Sequence, residues 1–566
     1  MGTITNPLLR RTQDWFQVTY NCRVKRDEID FEWDARIDGS AAGAISFRID
    51  GVANSAFSRN RIGLNLLHPA DVCAGMKCRT QRADGNWTET RFPEEIAAEE
   101  VLPGFVEICG MVYEVAPGIV AKWEFEGDLF ETEDQRNWTD ATFKTFSTPL
   151  NLPFPVQLYP GDRVSQQIRL TIEGAPPPGP RPASRTVGIS LSAAPPSPLP
   201  PIGLGMASHG LRLSARETGL LRRLNLAHLF VELGLGPGDW VETLNVARET
   251  AAELGTQLII SAHISSDADL AALARGGEPL AADFIDCTVF PGKHAAAVRA
   301  RFPNWRIGSG SPADFYFLNQ QPPVLEPLDF LAFAIHPQEH AIDLLSMVET
   351  LPIQGQAVRQ ALRISGGRPV YVLPVTLKPR FCSAATGPPL PTAPGELPAE
   401  VDSRQASMFT AAWTAISLKH LTEAGTSRVT YFETTGWRGV LETEAGSPAP
   451  FPQLAGTVFP VYHVFAAIAA FRGGRMFPCK PTDGLLIDGF LLEKDGRRRL
   501  VLANLTEEER EVEPDWDLST SRASPTPFST STWSTEGGYA CHRLPSHGPN
   551  LPIRPNRSLT RFVPQA

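Results

Sequence analysis

Five titratable side chains stand where an apolar run gives way to polar residues: Glu232, His263, Asp286, His336 and Glu433. Glu433 is the sharpest of them. It follows RVTYF and precedes TTGWRG, so its carboxylate emerges beside Trp437 and Arg438. A carboxylate there can be a general base, a nucleophile or a ligand for sugar hydroxyls, and its competing use is a structural pairing with Arg438. Glu232 sits inside HLFVELGL and needs a partner, because an unpaired buried charge is costly. His263, in SAHISS, and Asp286, ahead of TVF, are candidates for the same mouth, with Ser208 and His209 behind them. His336 opens HPQEHAID, and His340 follows four residues later. That spacing can put two imidazoles on one helical face, as in a zinc site. Pro337 interrupts such a helix, so hydrogen bonding to a polar ligand is the favoured use and no metal site is expected.

A second concentration of chemistry lies at 129–146, LFETEDQRNWTDATFKTF. Glu133, Arg136 and Asn137 crowd against Trp138 there. Trp with adjacent polar groups is the chemistry of a sugar platform. The same crowding also suits a buried ion-pair network. Arg59-Asn60-Arg61 is a similar polar knot among strand-like residues.

The elements that position these groups follow from periodicity. From Ile202, apolar runs alternate with helical stretches: IGLGMAS, HLFVELGL, QLIISAHI, DFIDCTVF, WRIGSGS, LDFLAFAIH, PVYVLPVTL and RVTYFETTG. Eight such units over 202–474 predict a (β/α)8 TIM barrel, whose working side chains project from the C-terminal ends of its strands. A doubly wound sheet is disfavoured, since the first turn reads GMASHG and has neither GxGxxG nor GxxxxGK. Residues 1–173 alternate with period two in runs such as FEWDARIDG and IVAKWEFEG, which predicts an antiparallel β-sandwich. GAPPPGPRPAS and APPSPLPP mark 174–201 as a proline-rich linker, although TVGISLS between them is strand-like. TGPPLPTAPGELPAE at 386–400 reads as a long loop inside the barrel. A Lys-Asp-Gly hairpin signal places a small β-domain at 475–566, ending in a Ser-, Pro- and Arg-rich tail. The 51 prolines in 566 residues, well above the usual ~5%, are therefore mostly architectural.

Composition narrows the function classes. A formal charge of −10 argues against nucleic-acid and anionic-membrane partners, which demand clustered Lys and Arg. Eight scattered cysteines without CxxC give no disulfide scaffold. MGTITNPLLRRTQDW lacks the apolar core of a secretory signal, so a cytoplasmic location is expected. No GxSxG elbow and no cofactor motif occurs.

The blocks EDQRNWTDATFKTF, SRNRIGLNLLHP, PPIGLGMASHG, and HPQEHAID followed by SMVETLPIQ together resemble the bacterial D-apionate lactonases across nearly the whole chain. The resemblance implies a β-rich N-terminal domain, a TIM barrel and a C-terminal β-domain. It also implies hydrolysis of the lactone of D-apionate in the breakdown of the branched sugar apiose. On this reading Glu433, Glu232, His263 or His336 activates water without a metal or cofactor. Glu133, Arg136, Asn137, Trp138, Asp286, His340, Trp437 and Arg438 bind a small sugar lactone. The alternative is a TIM-barrel glycoside hydrolase in which Glu433 and one of Glu232 or Asp286 flank the scissile bond. A carbohydrate-binding protein without catalysis is a third possibility.

Overall fold

A computed structural model describes residues 2–174, 186–236, 238–283, 285–381, 392–452, 454–515 and 551–553. The polyproline part of the expected linker, the start of the expected 386–400 loop and most of the C-terminal tail lie outside the described residues. The chain falls into two compact units, one of Met1–Arg136 with Ala141–Arg181 and one of Asn137–Asp140 with Pro182–Ala566.

In the first unit the alternating runs form a nine-stranded antiparallel sheet. Its order is Thr3–Arg11, Trp15–Arg26, Ile29–Ser40, Ala44–Ala53, Arg163–Glu173, Ile119–Glu126, Ile108–Ala116, Lys77–Arg82 and Trp87–Arg91. A smaller layer of Asn65–Pro69, Thr142–Phe146 and Glu131–Asp134 completes the sandwich. Phe92, Phe105, Met111, Phe130 and Phe143 are fully buried in one shared core. Period-two alternation thus gives each strand one apolar face to bury and one to hydrate.

In the second unit the apolar runs become eight parallel strands, β1 (Ile202–Gly205), β2 (His228–Gly234), β3 (Gln257–His263), β4 (Asp286–Phe290), β5 (Arg306–Ser311), β6 (Phe330–Ile335), β7 (Val370–Val375) and β8 (Arg428–Thr435). Each pairs with the next, and β1 pairs with β8, so the barrel closes. Near-continuous hydrophobicity is what strands covered on both faces require. Phe230, Ile259, Phe330, Ala332, Tyr371 and Leu373 pack together inside. The connecting helices are α1 (Ala215–Arg222), α2 (Trp240–Leu254), α3 (Asp267–Gly276), α4 (Ala295–Arg301), α5 (Phe315–Gln320), α6 (Leu351–Ile364), α7 (Met408–Glu423) and α8 (Pro460–Ala469). Capping boxes at Ser214/Glu217 and Ser266/Asp269 start α1 and α3. The helices α3 and α5 escape the sequence reading.

The C-terminal sheet differs from expectation in two respects. Its inner strand is Thr186–Leu191, from the stretch read as linker, which lies antiparallel to Arg475–Pro481 and parallel to Arg510–Pro514. Val187 and Ile189 make it an element, packing with Ile487, Leu502 and Val512. The sheet also shares one compact unit with the barrel. The helix α7 explains this, because it is apolar nearly all round and so must be covered on more than one side. Its one buried cation, Lys419, donates to both oxygens of Asp488 at 2.6 and 2.7 Å and to the Cys479 carbonyl at 2.8 Å.

Candidate active site

The C-terminal ends of the barrel strands gather two carboxylates, two arginines and two imidazoles. Glu433 owes its position to a bulge in β8. Phe432 takes a positive φ of 45°, and the β1–β8 register shifts there, so Gly205 aligns with Glu433 and residue 432 is skipped. Gly205 is required at this approach, since a Cβ on it would lie 2.7 Å from the Phe432 carbonyl oxygen. Beyond the bulge, Glu433 Oε2 accepts from the Ser208 backbone N–H at 2.9 Å and the Ser208 hydroxyl at 3.0 Å. Its Oε1 is held by Arg438 Nη2, and the Glu433 N–H donates to the Arg438 carbonyl at 2.9 Å. Both oxygens of this buried carboxylate are engaged.

His209 is fixed beside it. The Leu211 N–H donates to His209 Nδ1 at 3.0 Å, which leaves Nε2 as the protonated nitrogen, 2.8 Å from Thr435 Oγ1. Burial pulls the ring below its ordinary value, against the pull of Glu433. His209 is therefore a neutral support.

Glu232 and His263 form the second half of the mouth, from adjacent strands, Glu232 being aligned with Ser261 and His263 lying two residues further on. Glu232 Oε1 lies 3.6 Å from His263 Nε2, and each side chain keeps 32% of its surface. Ser261 Oγ is 3.4 Å from the same nitrogen, and Phe290 lies against the ring with centroids 5.6 Å apart. Burial lowers the His263 pKa, so the imidazole is neutral at pH 7 and carries a lone pair. The other Glu232 oxygen is held by Arg380 Nη1, while Arg380 Nη2 donates to the Pro312 carbonyl. Burial pulls the Arg380 guanidinium down to about 9, with Arg438 adding to the effect and Glu433 opposing it. It stays charged at neutral pH, and it senses the Glu433 pair as well as its own.

A separate cluster surrounds β5 and β6. His336 is 4% exposed, with Nε2 3.7 Å from Glu339 and a buried Nδ1 that has no hydrogen-bond partner among the described residues. Burial and His340 lower it to about 4. Asn137–Asp140 belong to this unit. Asn319 donates to Asn137 at 2.9 Å, Trp138 stacks on Tyr316 at 4.4 Å, and the Thr139 hydroxyl donates to the His336 carbonyl at 3.1 Å. Asp140 pairs with His340 at 2.7 Å, and the Trp138 ring meets His340 edge-on. No hydrogen bond or ion pair joins His336 or Glu339 to Glu232, His263 or Glu433. Of the sequence candidates, the structure thus brings together Glu232, His263, Glu433 and Arg438, and groups His336 with His340, Asn137 and Trp138. Trp437 is half-buried on the loop between Glu433 and Arg438.

Three candidates are corrected. Asp286 begins β4 rather than ending it, so it lies at the opposite end of the barrel. There it takes the Tyr371 hydroxyl at 3.1 Å and faces Arg428 and Arg306 at 3.3 and 3.5 Å. Arg136 belongs to the first unit and is fully buried. It pairs with Asp134 and donates to the carbonyls of Pro93, Glu94 and Glu95, each at 2.9 Å. Glu133, in the same unit, is taken up by Lys144 at 2.7 Å. Arg380 and Tyr316, by contrast, were missed. The signal for Arg380 was a cation shortly after a barrel strand, in LKPRF; for Tyr316 it was the aromatic run DFYF on α5.

Residues 2–175 match the family described as D-apionate lactonase, N-terminal domain, and residues 202–473 match its TIM barrel domain. The chain belongs to the D-apionate lactonase family. A D-apionate lactonase of Brucella anthropi is 28% identical over 400 residues, which are 66% of this chain and 65% of that protein. The match therefore spans slightly less than two thirds of the relative's length. Among solved structures, a family 51 α-L-arabinofuranosidase from Bifidobacterium longum is 13% identical and covers 58% of this chain and 87% of its own, with a TM-score of 0.41. A GH30 endoxylanase from Clostridium papyrosolvens C71 is also 13% identical, over 58% and 88% of the two chains, with a TM-score of 0.37. Two further facts describe this member of the lactonase family. Among its described residues no group of three His, Cys, Asp or Glu side chains is arranged to hold a metal ion, and no helix is long and apolar enough to cross a membrane.

Proposed function

We propose that the protein hydrolyses D-apionolactone to D-apionate, and that water is activated by His263. The observation that carries this reading is the neutral, half-exposed His263 imidazole facing Glu232 at 3.6 Å, at the C-terminal mouth of a lactonase-family barrel. The imidazole takes a proton from water as the oxygen attacks the lactone carbonyl, and Glu232 stabilises the resulting imidazolium. The carbonyl π electrons move to oxygen, where N–H donors at the mouth, Arg438 among them, stabilise the oxyanion. Collapse breaks the bond to the ring oxygen, and the imidazolium returns its proton to that alkoxide. The products are a carboxylic acid, ionised at neutral pH, and a free hydroxyl.

Glu433 is less suited to the role of base than His263, because its oxygens already accept from three N–H or O–H donors. It orders Ser208 and Arg438 and binds substrate hydroxyls, with Trp138, Tyr316 and Trp437 as apolar walls. The glycosidase alternative asks one of Glu232 and Glu433 to donate a proton to a leaving oxygen. Each carries an arginine N–H, which suits a carboxylate better than an acid.

The test is acid release in a pH-stat from D-apionolactone, from other five-membered sugar lactones and from aryl glycosides. Turnover of D-apionolactone well above the spontaneous rate is expected. Glycoside turnover without lactone turnover would overturn the reading.

A further inference from the structure

The candidate base pair has a third member that serves no core. Arg380 lies beyond the end of β7, on a different loop from either partner, and its side chain is 8% exposed. Its fork is divided: Nη1 holds the Glu232 oxygen turned away from His263, and Nη2 is tied to the carbonyl of Pro312, just past β5. The loops after β5 and β7 are thereby linked to the ends of β2 and β3 through one guanidinium. A carboxylate held only by an imidazole at 3.6 Å is free to rotate about its terminal torsion. One also gripped by a planar, anchored guanidinium is not.

Resting on the lactonase reading, we infer that Arg380 is the positioning residue of the active site: by clamping Glu232 to the Pro312 carbonyl, it fixes the carboxylate oxygen that faces His263 Nε2 and so sets the orientation of the imidazole. Among the described residues, the groups facing this trio are Ser261 on the same strand as His263, the apolar Phe290 from β4, and the Glu433–Arg438 pair within electrostatic reach of Arg380. Arg380 also balances the charge of Glu232. Without it, the Glu232–His263 pair holds a proton to higher pH, and the imidazole is lost as a base sooner on acidification.

The test is an NMR titration of isotope-labelled histidines in the full chain, with His263 assigned from H263N, for wild type, R380Q, R380K, E232Q and E232Q/R380Q. In R380Q the His263–Glu232 pair is expected to take up its proton at least about one pH unit higher than in wild type, and kcat to fall about a hundredfold with a smaller change in KM. R380K keeps the charge but loses the fork, so its titration stays near wild type while kcat remains low. In the E232Q background, loss of Arg380 is expected to move the titration far less, because the group it clamps is gone. An unchanged titration in folded R380Q, or equal shifts with and without Glu232, would overturn the inference. If R380Q does not fold, R380K decides through kcat, and wild-type kcat there has the same force. The titration needs no substrate, so the two failures are distinguishable: a protein that turns over no lactone sinks the functional reading and the positioning role with it, while an unchanged titration in an active enzyme sinks the positioning role alone.

Discussion

At the N-terminal end of the barrel, Asp286 takes the Tyr371 hydroxyl and faces Arg306 and Arg428, and its side chain is 10% exposed. At the C-terminal end, Glu232 has one oxygen gripped by Arg380 and the other 3.6 Å from a half-exposed imidazole. Residue types are shared between the two ends, but their saturation is not. Below, the carboxylate is used up by partners at the starts of β5, β7 and β8, and the arrangement fastens the barrel. Above, an oxygen and a lone pair are left facing solvent, and unfinished bonding of that kind is what a reacting molecule can complete.

The sharpest break in this comparison is at the upper end. His263→Asn keeps the volume of the site but removes the base, and should lower kcat by about 10² to 10⁴ with little change in unfolding midpoint. Steady-state kinetics and a denaturant titration on one preparation check both halves. Asp286→Asn should give the opposite pattern. It leaves Arg428 without its carboxylate, which should cost roughly 2–3 kcal/mol of stability. The kcat of the folded variant should stay within about twofold of wild type, the margin expected of a site that neither touches nor orders the reacting groups. If Asp286→Asn loses activity and keeps its stability, the division between the ends is wrong.

A subtler contrast lies in how the two ends meet acid. His228 opens β2 at the lower end and is fully buried, with Nε2 2.8 Å from Thr430. Burial lowers it to about 3, with Arg428 and Arg472 adding to the shift. Its folded value lies below its unfolded value of about 6.5, so between those limits the unfolded chain binds the extra proton. Stability is therefore complete above pH 6.5 and drains away as the pH falls toward 3, by roughly 1 kcal/mol per unit for this residue. Urea midpoints between pH 7 and 4 should show the slope, to which the buried His68 and His336 add, and a folded His228→Gln variant should lessen it. His263 titrates at the upper end, so the same acidification should also remove activity as its imidazole charges. The two losses should separate, since His228→Gln alters the first and not the second.

Much of this organisation was legible in the sequence. Apolar runs of four to eight residues between helical stretches mark the eight barrel strands. The polar residues closing RVTYF, HLFV and QLIISA place Glu433, Glu232 and His263 at one end. What was hidden depended on register and on long-range closure. DFIDCTVF is apolar on both sides of Asp286, so nothing local says that the strand begins there. Only its alignment with Ile259 and Arg306 does so. Arg380 lies in a loop whose path no periodicity describes. TVGISL reads as part of a linker because its partners are nearly 300 residues away.

The 129–146 segment shows the same division within a few residues, and it carries the smallest expected effect. Arg136 is enclosed by Asp134 and three carbonyls in the first unit, whereas Trp138 belongs to the second. The Trp138 ring is stacked on Tyr316 at 19° between planes and retains part of its surface, so it has an apolar face to offer a sugar ring. A stacked aromatic platform contributes about 0.5–1.5 kcal/mol beyond simple burial, so Trp138→Ala should raise KM by up to about tenfold. The effect on kcat should be much smaller, because no proton passes through an indole. A change confined to kcat would mean that Trp138 acts through His340, against which its ring is packed edge-on, and would draw the His336 cluster into the chemistry. A change confined to KM leaves the reaction with Glu232 and His263, and makes residues 137–140 a wall of the pocket rather than part of its machinery.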